Sequence, residues 1–145
     1  MPTTLPRSEI GAGPLVEDVA YGGTLIACIV RGGLRPKRTT FLTPAHLKQQ
    51  LGFVVYGAGQ EIARHMHRPL ERRIVGTSEV LVVRSGRCEV DLYNDQRELV
   101  ATRELEAGDV ILMTGGGHGF RMREDTVFVE IKQGPYTGLD EKERF

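Results

Sequence analysis

The chain has 145 residues, about one ordinary domain, and its 19 Lys+Arg balance 19 Asp+Glu to a formal charge of zero. That balance excludes the basic footprint of a nucleic-acid binder and the polybasic segment of a membrane-surface anchor. An apolar fraction of 40% excludes wholesale disorder, and 18 glycines without a three-residue period point to many tight turns between short strands.

Residues 1–23 are dense in Pro and Gly and read as an extended arm with one short strand at Leu15–Val19. A strand is expected over Thr24–Val30, ended by Arg31-Gly32-Gly33, and another over Thr39–Thr43. Pro44–Gln50 suits a helical turn, with Thr43 as N-cap and Pro44 in the first helical position. From residue 51 the pattern is β throughout. Apolar segments at Leu51–Tyr56, Glu61–His67, Glu79–Arg84, Arg87–Tyr93, Leu99–Glu104, Val110–Met113, His118–Met122 and Thr126–Lys132 are separated by turn residues. Such short, closely spaced strands imply an antiparallel sandwich or barrel. In His118–Met122 the alternation puts His118, Phe120 and Met122 on one face, with Arg121 and Arg123 on the other. Residues 134–145 form a polar tail that should pack on the domain.

Cys28 and Cys88 lie 60 residues apart in apolar runs and read as reduced, buried thiols. The N-terminal residues lack the apolar stretch of a signal peptide, and the longest apolar run, 25–30, is far too short for a membrane helix. A cytoplasmic protein without membrane or nucleic-acid partners is expected.

Four histidines are present: His46, His65, His67 and His118. On a strand, His65 and His67 would share one face, and two same-face imidazoles in an interior need partners for their ring nitrogens. A divalent metal meets that need. With another imidazole and a carboxylate, the donor set favours iron, manganese, nickel, zinc or copper over magnesium or calcium. His118 opens a later inward alternation, and Glu79 opens the strand after the His-x-His segment.

The run Gly59-x5-His65-x-His67 followed by Glu79-x6-Gly86 resembles the first motif of the cupin superfamily, and Gly108-Asp109-Val110 leading through Gly116 to His118 resembles the second. The resemblance implies an all-β fold, a double-stranded β-helix (cupin-type jelly-roll barrel) over roughly 50–133, with residues 1–49 as a strand-containing N-terminal arm and 134–145 as a tail of one domain. It implies His65, His67, Glu79 and His118 as ligands of one divalent transition metal inside the barrel. Eleven residues separate His67 from Glu79, longer than the family's usual gap, so Glu71 competes for the carboxylate role. Thr114 stands where proline is usual, His118 comes one residue early, and Met122 occupies a position often held by asparagine. The turn Lys132-Gln133-Gly134-Pro135-Tyr136 is similar to the C-terminal stretch of a subgroup of small cupins associated with cell-surface polysaccharide genes, which suggests a sugar-related substrate.

Four arginines, Arg64, Arg68, Arg72 and Arg73, fall within ten residues beside the proposed ligands. They form either a solvated loop or a rim that binds an anionic small molecule. Glu130 and Lys132 either form an exposed ion-pair edge or point inward beside the metal. Proton-transfer candidates are Glu71, Tyr56, Glu130 and Tyr136. The expected function is a metal-dependent enzyme, an oxygenase, isomerase or lyase acting on a small oxygen-rich molecule. The alternatives are a non-catalytic small-molecule binding or sensing module and a structural role for the metal. The apolar arm strands suggest a homodimer.

Overall fold

The computed structural model describes residues 15–145, apart from the side chains of Leu139 and Asp140. The remainder of the expected arm, residues 1–14, lies outside the described residues. The fold is all-β and antiparallel. Its strands are β1 (Val16–Tyr21), β2 (Thr24–Val30), β3 (Thr40–Phe41), β4 (Gly52–Phe53), β5 (Glu79–Ser85), β6 (Arg87–Tyr93), β7 (Leu99–Glu106), β8 (Val110–Met113), β9 (Gly117–Met122) and β10 (Val127–Lys132). The chain divides into two compact units.

The larger unit comprises Pro14–Leu34 and Thr77–Phe145. One sheet runs β1-β2-β8-β5-β10 and the other β7-β6-β9. Their inner faces meet in a core that includes Ile29, Ile111, Leu81 and Val83 from the first sheet and Cys88, Val90, Leu92 and Leu105 from the second. Period-two alternation puts these side chains inward, as it puts Arg121 and Arg123 outward. The outward arginines pair with Glu89 and Asp91 on neighbouring β6.

The strand sequence is consistent with a sandwich of jelly-roll type, because β5–β6, β7–β8, β8–β9 and β9–β10 each pass from one sheet to the other. Those crossings need sharp corners, which the glycines supply. Gly86, between β5 and β6, has φ +89°, and a Cβ there would strike the Asp125 carbonyl. Gly116, before β9, has φ +60°, and a Cβ would strike the Tyr93 carbonyl. Where the motif usually has proline, Thr114 donates its backbone N–H to Ile26 O at 2.9 Å and its hydroxyl to Leu25 O at 2.9 Å. Proline could make neither bond.

Asp109 fastens the β7–β8 turn to the end of β2. Its buried carboxylate accepts from Gly32 N at 2.9 Å, Glu106 N at 2.9 Å and Arg31 Nη1 at 3.0 Å. Both open edges of the sandwich are also stitched. Glu17 of β1 pairs with Arg103 of β7 at 2.7 Å. Phe120 of β9 meets Phe128 of β10 edge-to-face, with centroids 5.5 Å apart. The tail packs as expected: Phe145 lies edge-on to Tyr93 at 5.1 Å, and Arg97 pairs with Glu143 at 2.6 Å.

The smaller unit, within which Arg35–Gly76 is described, holds one short ladder, Thr40 opposite Phe53 and Phe41 opposite Gly52. Two expectations are corrected here. The helical turn expected over Pro44–Gln50 is a lone hydrogen-bonded turn outside any helix, Leu47 N to Pro44 O at 3.1 Å, and Gln50 Nε2 donates to the Pro44 and Leu47 carbonyls. Thr43 does not cap it but accepts from Leu51 N at 3.2 Å. The strands expected over Leu51–Tyr56 and Glu61–His67 reduce to Gly52–Phe53 and to none. Residues 56–77 are exposed throughout, Met66 at 92%, so alternation there buries nothing and no neighbouring strand completes a ladder.

Candidate functional site

Glu79 begins β5 and His118 is the second residue of β9. Register places Glu79 on the face of Leu81 and Val83, and His118 on the face of Phe120, so the two sheets present them to each other. His118 Nε2 lies 3.2 Å from Glu79 Oε2, with side chains 33% and 12% exposed. Phe120 stands beside the imidazole, centroids 5.9 Å apart, and shields it on the Phe128 side. The result is a polar pair at the rim of an apolar interior.

The imidazole beside Glu79 holds that carboxyl below the usual carboxylate range, while burial acts in the opposite direction. Glu130 and the Lys142 charge act on the same carboxyl in the same direction as the imidazole, more weakly. Glu130 sits opposite Leu81 and Lys132 opposite Glu79, so both share the core-side face of β10. The apolar residues Val127, Val129 and Ile131 are the ones that face outward, 53%, 40% and 49% exposed. Strand pairing with β5 fixes the parity of both residues, yet Glu130 is exposed and only Lys132 is half-buried. Lys132 Nζ rests 4.7 Å above the Tyr136 ring, whose residue is 70% exposed.

The other expected site residues belong to the smaller unit and are exposed: Tyr56, Arg64, His65, His67, Arg68, Glu71, Arg72 and Arg73. The His65 and His67 rings meet edge-to-face with centroids 5.2 Å apart. His65 Nδ1 lies 2.8 Å from Ala63 O, an arrangement that leaves Nε2 outward for a ligand. His46 is exposed in the Pro44–Leu47 turn.

Sequence reasoning thus named Glu79 and His118, and the structure brings them together. It missed Lys142, for which isolated charge in a polar tail gives no signal. It also missed a concavity of about 240 Å³ lined by Tyr21, Thr24, Ile26, Asn94, Asp95 and Gln96, which contains none of the expected residues.

The pair suits a transition-metal ion. Two donors about 2.1 Å from one ion and at right angles lie about 3 Å apart, close to the observed 3.2 Å. An ionised carboxylate and an imidazole are also the right donor types. Among the described residues, no group of three or more His, Cys, Asp or Glu side chains is gathered as a metal site. Comparison with protein-family models, curated proteins and solved structures finds no match to the chain.

Proposed function

We propose that the protein is a cupin-type, metal-dependent enzyme acting on a small oxygen-rich molecule, with a double-stranded β-helix as its fold. The observation that carries this reading is the Glu79–His118 pair, delivered from facing sheets to one rim with donor spacing that suits a single ion. His65 and His67 are the remaining ligands the motif resemblance implies. A metal held there would polarise an oxygen of the bound molecule as a Lewis acid. To Glu130, which pairs opposite Leu81 on the neighbouring strand, we assign the proton transfer.

The test is metal content by emission spectroscopy after expression in metal-replete medium. Wild type should carry about one ion per chain, and His118→Ala and Glu79→Gln should each lower metal affinity by at least about tenfold. Wild type without stoichiometric metal overturns the reading. The direct His118–Glu79 hydrogen-bond distance favours one alternative, a metal-free module that binds or senses a small molecule. Ligand binding that survives chelation would select it. The same proposal takes the protein to be a cytoplasmic homodimer, and light scattering tests the dimer. No helix among the described residues is long and apolar enough to cross a membrane.

A further inference from the structure

Lys132 is the strand partner of Glu79, yet the two side chains do not pair. Glu79 is engaged by His118 instead. Among the described residues no carboxylate lies within ion-pair distance of the Lys132 ammonium, whose recorded side-chain contact is the Tyr136 ring at 4.7 Å. A cation–π contact fixes where the ammonium sits without neutralising it. Lys132 is half-buried on the core-side face of β10, so its charge is partly desolvated and gains from an anion supplied from outside. Glu79, Glu130, Lys132 and Lys142 together sum to zero charge, so an incoming anion meets no net repulsion there.

We infer that Lys132, steadied by Tyr136, is an anion subsite beside the Glu79–His118 pair, and that the bound molecule carries a carboxylate or phosphate group placed on it. The inference deepens the proposed function and rests on that site. It assigns the anion to a lysine held by the barrel's last strand, in place of the arginines at 64–73, all of which are exposed. Tyr136 then acts through its ring and not its hydroxyl, as a positioning residue.

The experiment is calorimetric titration of the protein as purified with inorganic phosphate and, separately, with succinate. Wild type should bind at least one of them, and the preferred anion names the headgroup. Lys132→Met should weaken that binding by about tenfold or more, and Lys132→Arg should keep it within about threefold. Lys132→Gln carries the same expectation as Lys132→Met if the apolar variant does not fold. Tyr136→Phe should leave affinity unchanged and Tyr136→Leu should reduce it. A wild type that binds neither anion, or a Lys132→Met protein that binds as tightly as wild type, overturns the inference. Metal content of the same samples separates the two readings. Lys132-dependent anion binding by a metal-free protein sinks the metal proposal alone, whereas a metal-loaded protein indifferent to Lys132 sinks the subsite alone.

Discussion

The Asp109 carboxylate accepts two backbone N–H groups and one guanidinium N–H, and its side chain is only 3% exposed. Removing it strands donors from the β2 end and the β7–β8 turn at once. Asp109→Ala should therefore cost about 2–3 kcal/mol. Urea unfolding measures this, and a loss below about 0.5 kcal/mol would show the knot to be dispensable. The sequence marked Gly108-Asp109 only as part of a motif before a strand. Nothing local shows that Arg31 and Gly32, more than seventy residues upstream, are its partners. Glu79 was readable as a candidate because it opens an apolar strand, but not its engagement by His118. The competing Glu71 differs in environment and not in residue type, being exposed in a segment without strand pairing.

At the scale of elements, the second sheet's outer face is a ladder of alternating charge. Arg121 Nη2 reaches Glu89 at 2.8 Å and Asp91 at 3.2 Å, Arg123 pairs with Glu89, and Thr102 donates to Asp91 at 2.6 Å. Hydrogen bonds from Arg123 and Arg121 lower the Glu89 pKa, and those from Arg121 and Thr102 lower that of Asp91. Arg103 does the same for Glu17 at the stitched β1–β7 edge. Depressed folded-state values stabilise the fold above the unfolded carboxylate range of about 4, and that contribution disappears as pH falls through the folded values. The urea midpoint should thus fall between about pH 6 and pH 3. The fall should be shallower in Glu89→Gln, and added salt should weaken the ladder's share. An unchanged slope in that variant would remove Glu89 from the account. Strand positions in this sheet were legible because short alternating segments lie between glycine corners. At β10 the alternation left the face of Glu130 and Lys132 open, since only pairing with β5 fixes it.

Across the whole molecule, the two units differ in how their backbone is secured. The larger has paired strands around one core, whereas residues 56–77 of the smaller are exposed and outside any strand. That stretch carries Arg64, Arg72 and Arg73 as cleavable sites, Pro69 blocking the bond after Arg68, so native-state trypsin should cut there first. Mass spectrometry should find the first fragments ending within 64–73 while the chain from Thr77 onward stays intact. Early cleavage after Arg87 or Arg103, inside the sheets, would contradict the difference.

By itself the sequence determined that this is an all-β chain with most of its strands in these places, because alternation and turn glycines are local signals that act before any long-range contact. It also named Glu79 and His118. Only the tertiary structure decided that these two meet, that Lys132 has no carboxylate partner among the described residues, and that 61–67 forms no strand. Each of those outcomes depends on which strand becomes whose neighbour, and that is set by packing between segments tens of residues apart.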